Sequence, residues 1–481
     1  MINSYQETIV APATTPGTGA ISIIRVSGPE AFRIADAVVQ LTTGTISESK
    51  GYTIHFGKVF VIPSEASVSP SLLDEVLVSV FRAPHSYTGE DSVEISTHAS
   101  AYIVRELIGL LLKAGARFAE PGEFTRRAFL NGKLDLAQAE AVADVISSTT
   151  AASHRVAMNQ LKGGFSAQLA SLRSQLLEMA SLLELELDFS EEDVEFADRE
   201  KLLALLVDTK KHVDNLAASF RQGNMIKNGV PVAIVGPANA GKSTLLNALV
   251  GEERAIVTDI PGTTRDTIEE TMNLNGILFR FIDTAGIRES SDTVEKLGID
   301  RTFRKISEAE IVLCMLDAQS EESDLLDNLR TLFQYVDASR QKVFILLNKA
   351  DKAASTGINK NVIVVNNFVL SLNTKAELLT ISAKELRGLD QLKEALYQTE
   401  KGLIPNEDST FITNVRHFEA LQNASSALSD CHTSLSRGIP SDLVAEDLRR
   451  ALSAINSILG TDLLDPEVIL HNIFQNHCIG K

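Results

Sequence analysis

Residues 230–250 read VPVAIVGPANAGKSTLLNALV. An apolar run, VPVAIV, passes through a loop bounded by Gly236 and Gly241 into a helix-forming segment, KSTLLNALV. That is the strand, loop and helix setting in which G-x-x-x-x-G-K-[ST] binds phosphate. The glycines let backbone N–H groups close around a phosphate, and the helix N-terminus adds partial positive charge. Lys242 then reaches the β- and γ-phosphates and Ser243 ligates Mg²⁺, with Asn239, Ala240, Gly241 and Thr244 completing the cradle.

Around this loop, from about 229 to 402, apolar strands (VPVAIVG, LFRFIDTAG, IVLCMLDA, KVFILLNK, LLTISA) alternate with amphipathic helices, which predicts a mainly parallel sheet. Asn275-Gly276 between two apolar runs predicts one hairpin and so one antiparallel edge. Asp283-Thr284-Ala285-Gly286 ends the second strand, where a carboxylate serves the Mg²⁺ shell and the Gly286 N–H senses a γ-phosphate. Asn348-Lys349-Ala350-Asp351 ends the strand VFILL, where a carboxylate accepts both N1–H and N2–H of guanine, a pair adenine does not offer. Ser382-Ala383-Lys384 adds a backbone contact to the guanine oxygen. In this order and at strand ends, the motifs predict GTP as the ligand, because a site with buried polar groups rejects a base that leaves them unpaired.

The position after Gly286 is Ile287, where Ras-type enzymes carry a water-positioning Gln. Glu289, Asp292 and Glu295 in IRESSDTVEK are the acidic alternatives, and spacing does not choose among them. The loop Thr258-Asp259-Ile260-Pro261-Gly262-Thr263-Thr264 offers hydroxyls and carbonyls suited to hard cations, with Thr264 the residue expected on Mg²⁺.

The remaining chain differs in texture. Residues 1–120 mix β-type runs (ISIIRV, DEVLVSVF) with Gly- and Pro-rich loops and one helix, AYIVRELIGLLLKAG, which predicts an α+β domain. From about Asp135 to Arg221, and again after Pro405, apolar residues fall at helical spacing. Two helical stretches flanking an α/β unit predict one helical domain with that unit inserted. At 481 residues there is room for two to four domains of roughly 100–200 residues each. With 45 Lys and Arg against 63 Asp and Glu, the net charge of −18 leaves no general positive excess for nucleic acid, so RNA binding requires a local basic patch or a second protein. Arg126, Arg127 and Lys133 are the clustered basic residues, read as a tRNA contact or, at least as readily, as a solvated face. The amino-terminal segment lacks the pattern of a secretory signal, and no run reaches about 18 unbroken apolar residues, so a cytoplasmic protein without a membrane partner is expected. Three scattered cysteines, Cys314, Cys431 and Cys478, are expected to be reduced thiols. Two other functions share the G motifs: a ribosome-assembly or translation GTPase, and a regulatory switch that waits for a separate activator.

With GPANAGKST, TDIPGTTRD, DTAGIRESSDTVEKLGI, NKAD and the terminal Cys478-Ile479-Gly480-Lys481, the chain resembles the MnmE/TrmE family of tRNA-modification GTPases. The match extends through TIVAPATTPGTGAISIIRVSG, SYTGEDSVEIS and PGEFTRRAFLNGKLDLAQAEA. The resemblance implies an N-terminal α+β domain (1–125) that dimerises and binds 5-formyl- or 5,10-methylene-tetrahydrofolate. It further implies a helical domain (126–228 and 403–481) interrupted by a Ras-like P-loop G domain (229–402). It implies a homodimer that joins the MnmG (GidA) flavoprotein, which carries FAD, in a heterotetramer acting on C5 of the wobble uridine of tRNA. Hydrolysis of GTP would be switched on by K⁺, held by Asn239, Thr258, Ile260 and Thr263, with Mg²⁺ on Ser243 and Thr264. Glu295 matches the water-orienting glutamate; Arg25, Glu94, Lys133 and Lys481 match the folate contacts; Cys478 matches the cysteine implicated in the modification. The chain departs from the family in carrying Pro237 one place earlier in the loop, with Ala238 before Asn239, a change of loop stiffness that keeps Asn239, Gly241 and Lys242 in register.

Overall fold

In-and-out alternation through the middle of ISIIRVS and SVEISTH makes each a strand with one face in the core, and a computed structural model of the chain bears this out. It describes residues 7–17, 19–61, 70–188, 199–252, 270–282, 306–337, 339–353, 355–372, 376–404, 409–461 and 480. The chain divides into two compact units, one of Met1–Ile146, Gln160–Leu206 and Ser426–Lys481, the other of Ser147–Asn159 and Val207–Ser425. Both helical stretches read from the sequence are shared between the units.

The first unit is built on β1 (Ile9–Pro12), β2 (Ile21–Ser27), α1 (Ala31–Val38), β3 (Val39–Leu41), β4 (Thr53–Val61), β5 (Ser71–Phe81), β6 (Ser92–His98), α2 (Ala101–Lys113) and β7 (Arg117–Phe118). The sheet order is β3-β4-β5-β6-β2-β1-β7, antiparallel except for the β1/β7 pair. Its inner face, with Ile24, Val26, Val76, Val78, Val80, Val93 and Ile95, packs on Ile34 of α1 and on Leu107 and Leu111 of α2. The opposite face is divided. Across one row Ile54, Ser79, Glu94, Arg25 and Ala11 stand opposite one another in register, and across the next Phe56, Leu77, Ser96 and Ile23. Ile9 and Ala11 are covered by Phe124 of α3 (Glu123–Leu130), whereas Ile54, Phe56 and Leu77 at the β4/β5 end stay exposed.

Helices α4 (Leu136–Ser147), α5 (Ala151–Leu161), α6 (Gly164–Asp188), α7 (Arg199–Ala218) and α8 (Phe220–Asn228) follow. The second unit continues with β8 (Val230–Val235), α9 (Lys242–Glu252), β9 (Glu270–Leu274), β10 (Ile277–Phe281), β11 (Ile311–Asp317), α10 (Glu322–Phe333), β12 (Lys342–Asn348), α11 (Ser355–Ser371), β13 (Glu377–Thr380) and α12 (Leu389–Glu400). Its sheet runs β13-β12-β11-β8-β10-β9, parallel throughout except at β9/β10. The exception is the expected hairpin, turned by Asn275 at φ 51° and Gly276 at φ 89°. Helices cover both faces, Leu245 and Leu249 of α9 with Leu392 and Leu396 of α12 on one side, Leu325 and Leu329 of α10 with Val365 of α11 on the other. Buried on both faces, β11 and β12 read as unbroken apolar runs. Helices α13 (Val415–Ser436) and α14 (Ser441–Leu459) are the last elements among the described residues, and α14 packs along α6, where Arg173 Nε donates to Asn456 Oδ1 at 2.8 Å. Among the described residues no helix is long and apolar enough to cross a membrane.

Candidate functional site

The phosphate-type loop leaves β8 at its C-terminal end, where open α/β sheets place their ligands. Gly236 (φ 149°) passes against β11 so closely that a Cβ would run into the Met315 carbonyl. Gly241 (φ 100°) leaves no room for a Cβ beside Asn348 Nδ2. Asn239 also has a left-handed backbone, at φ 61°. Lys242 Nζ arches back over the loop and donates to the carbonyls of Gly236 (2.9 Å) and Pro237 (2.8 Å). A backbone cradle with no room for a side chain at Gly236 or Gly241, closed by an ammonium and standing at the N-terminus of α9, suits a phosphate chain. Ser243 and Thr244 open α9 on this side.

At the far end of the loop, Asn348 joins three segments. Its Nδ2 donates to the Ala240 carbonyl at 2.7 Å, and its Oδ1 accepts from the Ala383 N–H at 2.9 Å. Both bonds are buried, so the expected base-reading segments 348–351 and 382–384 are locked to the phosphate loop. Ala350 N–H donates to the Ile381 carbonyl at 3.2 Å. Asp351 accepts from Ser382 Oγ at 2.6 Å, and that hydroxyl holds its carboxyl below the usual carboxylate range. An ionised, exposed Asp351 keeps acceptor capacity for a base carrying paired N–H groups. Lys384 points its charge to the surface beside Glu385. Thr258 to Thr264, Asp283 to Gly286, Glu289, Asp292 and Glu295 lie outside the described residues.

A second constellation stands on the sheet of the first unit. Arg25 and Glu94 are direct cross-strand partners on β2 and β6; Glu94 Oε1 accepts from Arg25 Nε (2.9 Å) and lies 2.8 Å from Nη2 in the same ion pair. Arg25 Nη1 donates to the Gly480 carbonyl at 3.3 Å. The guanidinium lies 5.2 Å from the Tyr87 ring centroid and 5.6 Å from that of Phe124, within reach of cation–π attraction. Tyr87 OH is hydrogen-bonded to Thr125 Oγ1 (2.8 Å), and burial, the largest influence on it, raises its pKa. Gly480 (φ 100°) is seated on β1, where a Cβ would collide with the Pro12 carbonyl. Lys133 Nζ donates to the Pro84 carbonyl at 3.1 Å, which ties Lys133 to the 84–91 loop that carries Tyr87. Cys478 and Lys481 lie outside the described residues. A planar cation with aromatic faces and a carboxylate at its edge suits a flat heterocycle bearing N–H groups, such as a pterin.

Of the three clustered basic residues, Arg127 is neither a tRNA contact nor solvated. It is 2% exposed and donates to Glu90 (3.1 Å) and Glu123 (3.0 Å). Arg126 pairs with Glu120 at 3.1 Å. Tyr87 in SYTGED and Phe124 and Thr125 in PGEFT carry no periodic signal, because strand pairing and the docking of α3 are what bring them to Arg25.

Two family models cover the chain, the TrmE N-terminus over residues 8–133 and the MnmE helical domain over residues 136–478. The tRNA modification GTPase MnmE of Bacteroides thetaiotaomicron is 48% identical over 480 residues, covering 99% of this chain and all of that one. The proteins of the same description from Flavobacterium johnsoniae (47% over 488 residues, all of both chains) and Cytophaga hutchinsonii (45% over 481 residues, 100% of this chain and 99% of that one) agree. The phosphate loop between flanking helices, the N-terminal sheet and these full-length matches lead to one conclusion, that the chain belongs to the MnmE family of tRNA modification GTPases.

Proposed function

We propose that the chain is a K⁺-activated GTPase that works with an MnmG-type flavoprotein to place an aminomethyl or carboxymethylaminomethyl group on C5 of the wobble uridine of tRNA. Its folate reading rests on one observation above all, the seating of Gly480 on β1 with its carbonyl on Arg25 Nη1 at 3.3 Å. This joins the end of the chain to the cross-strand pair Arg25 and Glu94. Cys478 precedes Gly480 by two residues, a chain length of at most about 7 Å. On this reading Arg25, Glu94, Lys133 and Lys481 hold a tetrahydrofolate, which supplies a one-carbon unit, and Cys478 serves the modification.

Residues 1–125 would then be the folate-binding and dimerising domain, 229–402 the G domain, and 126–228 with 403–481 the helical domain it interrupts. Lys242 and the loop from Asn239 to Thr244 hold the phosphates, while Asn348, Lys349, Asp351 and Ser382 to Lys384 read guanine. Ser243 and Thr264 would hold Mg²⁺, and Asn239, Thr258, Ile260 and Thr263 would hold K⁺; the ions supply positive charge beside the phosphates. Glu295 orients water. The left-handed Asn239 and the Asn348 bridge support the nucleotide part of this reading. Exposed Ile54, Phe56 and Leu77 on one sheet face support a homodimer formed by the N-terminal domain.

The test is mass spectrometry of tRNA nucleosides from a strain lacking the protein, complemented with wild type, Lys242→Ala or Cys478→Ser. Only wild type should restore the modified wobble uridine, and purified wild type should hydrolyse GTP faster in KCl than in NaCl. Full modification with Cys478→Ser would overturn the role of the terminal thiol, and equal rates in the two salts would overturn activation by K⁺.

A further inference from the structure

The turn that follows β11 grips the base-reading loop at three points. Asp317, the last residue of β11, has a side chain only 24% exposed. Its Oδ1 accepts from the Gln319 N–H at 2.9 Å and so shapes its own turn, while Oδ2 accepts from Lys349 Nζ at 2.7 Å. From the same turn the Ala318 N–H donates to the Asn348 carbonyl at 2.9 Å, and Gln319 Nε2 to the Lys352 carbonyl at 3.2 Å. The turn is itself held from behind, because buried Asn361 on α11 donates through Nδ2 to the carbonyls of Ala318 (3.0 Å) and Ser320 (3.2 Å). Lys349 has a left-handed backbone at φ 64°, which a lysine keeps only when its surroundings enforce it. The carboxylate of Asp317 fixes the far end of the Lys349 side chain through a charge-assisted bond to an ammonium that otherwise sits on four free torsions.

We propose that Asp317 is a positioning residue for nucleotide affinity, holding Lys349 so that its four-carbon stem forms a floor under the purine face. The proposal rests on the reading of Asn348 to Asp351 as the guanine loop. A lysine stem covers apolar surface while its charge stays paired elsewhere, and the face of a purine is such a surface. Asp317 therefore acts on the face of the base and Asp351 on its edge. Loss of Asp317 should weaken binding of every purine nucleotide the site accepts by the same factor, without touching hydrolysis at saturation.

Asp317→Asn tests this, since the amide keeps the Oδ1 acceptor for the turn and replaces the charged Oδ2 acceptor facing Lys349 with an NH2 donor. The full-length protein is loaded with a fluorescent GDP or IDP and release is followed by stopped flow. Release of both should quicken by about tenfold, the worth of one partly screened charge-assisted hydrogen bond. The KM for GTP should rise while kcat stays within about twofold, and the preference for GDP over IDP should not change. In a Lys349→Met background the Asp317→Asn substitution should have no further effect on release. Unchanged release from Asp317→Asn, loss of the GDP-over-IDP preference, or the same tenfold effect in the Lys349→Met background would each overturn the proposal while leaving a guanine-selective wild type intact. A wild type that binds ADP as well as GDP would overturn the guanine-loop reading, and the proposal with it.

Discussion

Glu123 and Arg127 are 1% and 2% exposed, and they survive burial because each is answered by opposite charge: Glu123 by Arg117 and Arg127, Arg127 by Glu90 and Glu123. Burial by itself pushes the Glu123 carboxyl up. The hydrogen bonds from Arg117 and from the Glu120 N–H, with the nearby charge of Arg127, outweigh it, so its pKa lies below the ordinary 4.5. A carboxylate whose folded pKa is depressed stabilises the fold above its unfolded pKa and loses that contribution as pH falls through the folded value. Glu123→Gln should therefore cost about 3 kcal/mol at neutral pH, because it leaves Arg127 short of a buried partner. Denaturation curves of wild type and variant should converge as pH drops below about 4.5, the unfolded value. An equal gap at pH 7 and pH 3 would assign the loss to packing instead. The two buried thiols show the opposite outcome at the same scale. Burial pushes the thiols of Cys314 and Cys431 up to about 12, with the Asp447 charge adding to it at Cys431, and neither is in a disulfide.

Among the elements, two glycines separate what was legible locally from what was not. The β9/β10 hairpin was readable because Asn-Gly carries its own turn chemistry, and Gly276 at φ 89° faces open space. Gly276→Ala should then pay only the left-handed penalty, about 1–2 kcal/mol. Gly223 sits inside α8 with an ordinary helical backbone, where propensity alone would make alanine stabilising by about 1 kcal/mol. A Cβ there would strike the Ile412 carbonyl on the segment that leaves the α/β sheet, and Ser219 Oγ accepts the Ile412 N–H beside it at 3.2 Å. We expect Gly223→Ala to destabilise by about 1–3 kcal/mol, the usual range for overpacking. Urea titration of both variants decides the matter, and a stabilised Gly223→Ala would mean that the contact yields easily. Nothing near Gly223 in the chain hints at this, because its partner arrives from a segment nearly two hundred residues on.

For the molecule as a whole, a charge of −18 opposes self-association, so a dimer must be held by apolar surface. The rows carrying Ile54, Phe56 and Leu77 are the surface we propose for it, and Phe56 and Leu77 are cross-strand neighbours, 44% and 49% exposed. Phe56→Asp with Leu77→Asp should turn a dimer into a monomer in light scattering without lowering the stability of the isolated unit by more than about 0.5 kcal/mol, as exposed sites generally behave. A dimer that persists would move the interface elsewhere. The parallel sheet, its antiparallel edge, the phosphate loop and the guanine-type motifs were all determined by the sequence by itself, because each depends on periodicity or on residues within a few positions of one another. The union of Arg25 with Glu94 and Gly480, the aromatic walls of Tyr87 and Phe124, the burial of Arg127 and the grip of Asp317 on Lys349 were decided only by the tertiary structure. The physical reason is that a side chain's charge state, freedom and reach are set by neighbours brought in by strand register and helix docking, and residues up to 455 positions apart carry no local trace of meeting.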